Sequence, residues 1–146
     1  APTRVLGSKY ARIAEAKGAE AKERAIMKEI GDLDKVHVMS GRVLVALYIG
    51  DQTFAGSTIL RTDTDQKEDV WQSTCGLVVK KGALAFKDDP STNTYFHGQD
   101  IDVGQWVCFN PGDGKRRQIN GVDCRLIEDA LIDCIVDDPA MITHFT

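Results

Sequence analysis

The chain has 146 residues, 42% of them hydrophobic, and a formal net charge of −4. This length suits one domain with its own core, and the composition excludes a disordered low-complexity chain. No apolar run approaches the roughly 18 residues of a membrane-spanning helix, so a membrane is not an expected partner. The charge is uneven, since residues 1–36 carry a net +2 and the remainder carries −6. This pattern favours a mildly basic arm that touches an acidic surface, such as a neighbouring copy.

The first predicted element is a helix over residues 8–30, which are rich in Ala, Glu, Lys and Arg. Ser8 is a candidate N-cap and Gly31 a candidate stop, while Gly18 weakens the middle by about 1 kcal/mol relative to Ala. The apolar stripe is thin and consists chiefly of Ile13, Ile26, Met27 and Ile30. We therefore interpret residues 1–35 as a helical arm that is either solvated or becomes ordered on a partner.

From Val36 onward the chain is rich in β-branched and aliphatic residues, in short runs separated by Gly, Asn, Asp and Pro. The strand candidates are VHVMSGRVLVALYI, CGLVVKKGALAF, QWVCFN, QING and CRLIEDALIDCIV. No helix is expected after residue 36, so the predicted fold class is mainly β, a small barrel or sandwich over residues 36–137. Residues 83–100 are predicted to form a hairpin or long loop, residues 110–117 a tight turn, and residues 138–146 a C-terminal tail.

The cysteines are Cys75, Cys108, Cys124 and Cys134, and none belongs to a C-x-x-C pair. A zinc or redox motif is therefore not predicted. Cys108 and Cys134 lie within apolar runs, where a thiol acts as a small core residue. This cysteine usage indicates a reducing, cytosolic compartment.

The remaining polar residues indicate no catalytic chemistry. His37, His97 and His144 share no metal-ligand spacing, and neither a metal nor another cofactor is expected. The sequence GDGK at 112–115 lacks the spacing of a phosphate-binding loop. The basic cluster at 115–117 is interpreted as a solvated turn, so nucleic acid is not an expected partner. No nucleophile motif or defensible acid–base pair is evident, and the sequence argues against an enzyme.

One stretch, DQTFAGSTIL at residues 51–60, combines loop-forming residues with an apolar end. Thr53, Gly56 and Ser57 suit a loop, yet Ile59 and Leu60 stand directly before the polar run RTDTDQKED. Two interpretations are open. The two aliphatic side chains either begin a strand and enter the core, or form an exposed tip that binds another protein.

Together these segments resemble the GroES-type co-chaperonins, small ring-forming lids of chaperonin cages with the chaperonin-10 fold. GRVLVAL resembles the family's first strand, FAGSTIL the tip of its mobile loop, and STCGLVVKKG the strand after that loop. IDVGQWVCFNPGDGKRRQINGVDCRLIEDALIDCIV resembles the C-terminal half of the family domain. The resemblance implies a small GroES-like β-barrel with a loop at 50–62 and a roof-like hairpin at 83–100, preceded by the helical arm.

The resemblance also implies a non-catalytic chaperone function in protein folding. The loop tip would dock into the apical domain of a chaperonin, through Phe54, Gly56, Thr58, Ile59 and Leu60. The chain would self-associate as a heptameric ring in which the first strand of one copy pairs with the last strand of the next, which removes two exposed strand edges. The implied interface residues are Val36, Val38, Val43, Leu131, Ile132 and Ile135.

The arm at residues 1–35 is absent from the ordinary family and is more typical of a phage-encoded version. This leaves two functions open. The chain is either a co-chaperonin in the cytoplasm of a bacterial host, or a bacteriophage capsid decoration or cement protein built on a GroES-like domain. In the second case the arm anchors it to the major capsid protein of the virion.

Overall fold

A computed structural model describes residue 9 and residues 11–49 and 73–142 of the chain. Its strands are β1 (Arg42–Leu47), β2 (Cys75–Lys81), β3 (Trp106–Cys108), β4 (Lys115–Ile119), β5 (Val122–Glu128) and β6 (Cys134–Val136). They form one antiparallel sheet in the order β4-β5-β1-β2-β3-β6. The predicted mainly β class is confirmed.

The central strand β1 explains the continuous apolar run in GRVLVAL. It pairs with β2 on one side and β5 on the other, and five consecutive residues from Val43 to Leu47 are buried. A strand covered on both faces needs apolar side chains at every position, in contrast to the alternation of a half-exposed strand. The core of the domain is therefore centred on β1.

The hairpin of β4 and β5 turns at Asn120 and Gly121. Both have positive φ, 51° and 81°, and they connect the paired residues Ile119 and Val122. Two positive-φ residues in a two-residue connection are the requirement of a type I′ turn, which Asn-Gly satisfies best. The sequence predicts a strand at QING. Only its first part belongs to one, because Asn-Gly forms the turn.

The N-terminal part is helical over residues 11–15 and again in α1 (Ala19–Ile30). Gly18 separates the two with a φ of 87°, and Gly31 ends α1 with a φ of 70° while its N–H donates to the Met27 carbonyl. Both glycines therefore break the helix as expected. The predicted cap Ser8 lies outside the described residues. After residue 36 the described helices are short 3₁₀ segments: Pro90–Thr92, Asp129–Leu131 and Pro139–Met141.

The helical arm packs on the sheet, which corrects the expectation of a solvated arm. Ile13, Ile26 and Ile30 are fully buried and belong to the same core as the strands. The Asn120 side chain donates a 2.6 Å hydrogen bond to the Ile30 carbonyl, and the Lys80 ammonium donates one of the same length to the Leu33 carbonyl. One apolar residue per helical turn is enough to hold the arm on the sheet, since each of these side chains is completely removed from water.

Residues 83–100 contain a compact turn instead of a long two-stranded hairpin. An isolated bridge joins Asp89 to Thr94 around the 3₁₀ helix, and the Asp89 carboxylate accepts from the Ser91 N–H. Phe86 and Phe96 meet edge to face with ring centroids 5.6 Å apart. This aromatic pair ties the two ends of the segment together.

Candidate partner-binding site

The predicted partner-binding residues belong to the connection between two neighbouring strands of the sheet. Residues 50–72 join β1 to β2, which are hydrogen-bonded to each other. Phe54, Gly56, Thr58, Ile59 and Leu60 lie within this connection, outside the described residues. Antiparallel neighbours need a hairpin loop of only about two to five residues. The connection is therefore far longer than pairing of the strands requires.

The two ends of this connection are fixed side by side on the sheet. The Tyr48 N–H donates a 2.9 Å hydrogen bond to the Cys75 carbonyl, which also accepts one of 2.9 Å from the buried Ser73 hydroxyl. On the far side of β2, the Phe109 N–H donates to the Thr74 carbonyl at 2.9 Å. The described residues at the two ends of the connection are therefore anchored next to each other.

The close approach of β1 and β2 adds to the rigidity of this anchor. A side chain on Gly76 would collide with Val45 and would lie 2.8 Å from the Ala46 carbonyl oxygen. Only glycine fits at this contact between backbones. The base of the connection is thus tightly packed.

The predicted interface residue Val43 is a core residue of its own chain. It is fully buried, and it pairs with Lys81 on one side and Ile127 on the other. A strand of a neighbouring copy cannot pair with Val43 unless β2 or β5 is displaced. Val43 therefore does not form an edge contact of the predicted kind in this fold.

The other predicted interface residues lie at or near the surface. Leu131 and Ile135 are 39% and 43% exposed. Val36, Val38 and Ile132 are half-buried. The Asp129 N–H donates a 2.9 Å hydrogen bond to the Gly41 carbonyl, so the entry to β1 lies beside the turn that leads into β6. Within one chain, the segment that follows Val36 and Val38 thus contacts the turn that contains Leu131.

Strand β6 is an edge of the sheet. It pairs with β3 through three residues on each strand, and within the described residues no strand pairs with its other side. An unpaired edge that carries exposed aliphatic side chains is a template for a further strand. This edge is therefore one feature of the described residues that is suited to binding another protein.

No protein-family model matches this chain, and no curated protein matches it in sequence.

The basic cluster at 115–117 is exposed as predicted, but it lies on strand β4 and not in the predicted turn. Arg116 and Arg117 lie on the exposed strand β4. Arg116 is directly opposite Arg125 of β5, which is buried and donates a 3.1 Å hydrogen bond to the Asp113 carbonyl. Burial, followed by the charge of Arg116, lowers the pKa of Arg125. Each of these two effects opposes charge on the buried guanidinium, whereas the charge of Asp113 acts in the opposite direction and favours it.

The described residues contain no group of three or more His, Cys, Asp or Glu side chains that could hold a metal ion. A groove of about 150 Å³ lies between the first turn of α1 and the strands β3 and β6. Its rim includes Glu20, Glu23 and Asp137. This volume is below the roughly 300–1,000 Å³ of typical small-molecule sites. No helix in the described part of the chain has the length and apolar character to cross a membrane.

One arrangement was not expected from the sequence: a row of three cysteines. Cys75 pairs with Cys108, and Cys108 pairs with Cys134, on three adjacent strands. Cys108 is a core residue as predicted, but Cys134 is exposed, so the prediction for Cys134 is wrong. Cys134 lies on the edge strand β6, and this position exposes it although its neighbours in the sequence are apolar. The row cannot be predicted from the sequence, because the alignment of cysteines so far apart in the chain depends on the strand register.

Proposed function

We propose that this chain is a GroES-type co-chaperonin, a lid that caps a chaperonin cage and has no catalytic activity of its own. The observation that carries the proposal is the long 50–72 connection, whose two ends are anchored side by side on neighbouring strands. A tethered segment with an apolar tip can reach a groove on another protein while the domain itself stays folded. We extend this proposal to the fold, which we infer is a GroES-like barrel that stays open at the β6 edge.

In this proposal Thr58, Ile59 and Leu60 contact the apical domain of the chaperonin, with Phe54 and Gly56 completing the binding segment. Ordering a flexible segment on binding costs conformational entropy, so one loop binds weakly. Several loops on one ring raise the effective concentration of the remaining loops once the first has bound. Weak single contacts combined in this way give a lid that can still be released.

We further propose that copies assemble into a heptameric ring through the free edge of β6. Its exposed Ile135 and the preceding Leu131 provide apolar surface, and the segment with Val36 and Val38 of the next copy supplies the added strand. Strand addition at an open edge satisfies backbone hydrogen bonds and buries the aliphatic side chains together. The lid would act in the cytoplasm of a bacterial host.

The alternative function, capsid decoration through the N-terminal arm, receives less support. The arm already has Ile13, Ile26 and Ile30 buried against the sheet of the same chain. Little apolar surface of the described arm is then left for a shell protein. We therefore treat the arm as part of the domain's own packing.

The test measures the mass of the full chain alone and after mixing with a chaperonin and ATP, by native mass spectrometry and size-exclusion chromatography. We expect a heptamer that co-migrates with the chaperonin. The double variant Ile59→Ser, Leu60→Ser should keep the ring and lose co-migration. Leu84→Ser is the matched control, since Leu84 is an exposed leucine that lies in the 83–100 segment, outside the loop.

Two results would overturn the proposal. Co-migration that survives in the double variant would show that the loop tip is not the binding segment. A chain that never associates with a chaperonin, but is released from phage particles when residues 1–35 are deleted, would favour the decoration function.

A further inference from the structure

The row of three cysteines runs from the core to the solvent across one face of the sheet. Directly paired residues of adjacent strands point to the same face, so Cys75, Cys108 and Cys134 are side by side. Cys75 is completely buried, Cys108 nearly so, and Cys134 is exposed. Cys108 lies between Cys75 and Cys134 in this row. A thiol exposed at an edge thus has a second thiol directly behind it.

We propose that Cys134 is a site of oxidation by hydroperoxides and that Cys108 resolves the oxidised thiol as a reversible disulfide between β3 and β6. This modification does not require the co-chaperonin function, but it does require that Cys134 on β6 stays exposed, as it is in the single chain. It needs only the exposure of Cys134 and its pairing with Cys108. Cross-strand neighbours have Cβ atoms about 4.5–5.5 Å apart, and a small adjustment at a short edge strand brings them to the roughly 3.5–4.5 Å of a disulfide.

The order of the two steps follows from exposure. The Cys134 sulfur attacks the peroxide and breaks its O–O bond. This step gives a sulfenic acid on Cys134 and releases water, or an alcohol when the oxidant is an organic hydroperoxide. The Cys108 sulfur then attacks the sulfenic sulfur, the S–S bond forms, and the hydroxyl leaves with the Cys108 proton as a second water. Two thiols are oxidised, one hydroperoxide is reduced, and no other reactant is needed.

The environment of the two inner thiols supports this order. Burial raises the pKa of Cys108 to about 11, and it holds that of Cys75 well above the usual range. Neutral thiols are poor nucleophiles toward peroxide, and buried ones are also inaccessible to it. The inner cysteines are therefore spared from the first attack, and Cys108 reacts once an activated sulfur is beside it.

The disulfide would fix the edge strand covalently. The β3–β6 ladder consists of three residue pairs, and Cys108–Cys134 is one of them. Closing the chain between residues 108 and 134 restricts the unfolded state and prevents β6 from separating from β3. Oxidised protein should consequently melt at a higher temperature than reduced protein, and a thiol reductant should reverse the shift.

The test treats reduced full-length protein with hydrogen peroxide, blocks remaining thiols, and maps non-reduced tryptic peptides by mass spectrometry. Lys or Arg residues separate all the cysteines from one another, so each of them lies in its own tryptic peptide. We expect a linked pair of the Cys108 and Cys134 peptides. In Cys108→Ser the sulfenic acid has no resolving thiol, and dimedone should label Cys134 at least about tenfold more than in the parent protein.

Cys124→Ser is the matched control, because Cys124 is buried on β5 away from the row and its loss should leave the linkage intact. Cys134→Ser changes an exposed side chain, and should fold normally and form no linkage. Circular dichroism checks the fold of every variant. The proposal is overturned by a Cys75–Cys108 linkage, by a Cys134–Cys134 dimer as the sole product, or by thiols that all survive peroxide.

Discussion

The sequences of helix α1 and of the edge strand β6 suggest the opposite of the burial that the structure shows. The helix segment AEAKERAIMKEI is largely charged, yet Ile26 and Ile30 are among the most deeply buried residues of the domain. The segment LIDCIV is largely apolar, yet Leu131, Cys134 and Ile135 are exposed. Burial therefore depends on where the topology places a segment, and its hydrophobic content is a poor guide to that.

The physical reason is that the two regions have different numbers of covering neighbours. The helix lies on the sheet, so a single apolar residue in each turn becomes fully enclosed. Strand β6 has one neighbouring strand, and part of its apolar surface stays open. Stability should thus reside in the helix-covered centre, whereas surface for partners and for oxidation lies at the edge. The following experiments challenge that division.

The largest contrast is expected between the same substitution at two isoleucines. Ile26→Ala should lower the free energy of unfolding by about 2–5 kcal/mol, because it removes a fully buried side chain and leaves a cavity. Ile135→Ala should lower it by less than about 1 kcal/mol, because that side chain is 43% exposed. Urea unfolding followed by circular dichroism measures both. Equal losses would refute the division.

A second experiment compares two glycines. Gly76→Ala should destabilise the protein by about 1–3 kcal/mol or more, since the new methyl group collides with Val45 and the Ala46 carbonyl at the centre of the sheet. Gly112→Ala is the control, because nothing lies within 4 Å of the added carbon. Thermal melting distinguishes them, and an unaltered melting temperature in Gly76→Ala would mean that β1 and β2 are less closely packed than described.

A third experiment concerns a buried lysine in α1. The Lys22 ammonium donates 3.4 Å hydrogen bonds to the carbonyls of Ile13 and Ala14 and lies 5.8 Å from the centre of the Tyr48 ring. Lys22→Met keeps an unbranched side chain, one atom shorter, but leaves those buried carbonyls without this donor. We expect a loss of about 1–2 kcal/mol in unfolding free energy. The control Lys28→Met alters an exposed lysine of the same helix, and a similar loss there would contradict the role given to Lys22.

The elements with a local signal were predictable from the sequence. The mainly β class, the breaks at Gly18 and Gly31, and the helical character of residues 19–30 follow from composition and glycine chemistry. The burial of the arm was not predictable, because it depends on which sheet surface the helix meets. The cysteine row was equally hidden, since Cys75, Cys108 and Cys134 become neighbours only through the strand order.

The candidate site divides in the same way. The loop at 50–62 was identified from its residue types, and the structure describes the strands at either side of it but not the loop residues. A correct prediction of the ring interface would have required knowing which strand edges are unpaired. Val43 was assigned to it because GRVLVAL resembles the family's first strand, which forms the ring contact, whereas here that strand is paired on both sides.

The smallest expected effect concerns the pH dependence of the buried centre. Burial, with a further contribution from the Asp123 carboxylate, raises the pKa of Cys124 to about 12 from 9.0. Between these values the unfolded thiol loses its proton while the folded thiol keeps it, so the folded state binds more protons and stability falls as pH rises. In Cys124→Ala this contribution disappears. The decline in unfolding free energy from pH 8 to pH 10, measured under reducing conditions, should then be smaller than in the parent protein by up to about 1 kcal/mol. Below pH 8 both proteins should show the same slope, because the thiol is neutral in both states. Parallel curves up to pH 10 would mean that Cys124 is as open to solvent as the thiols of the unfolded chain, and the separation between a closed centre and an open edge would fail at β5.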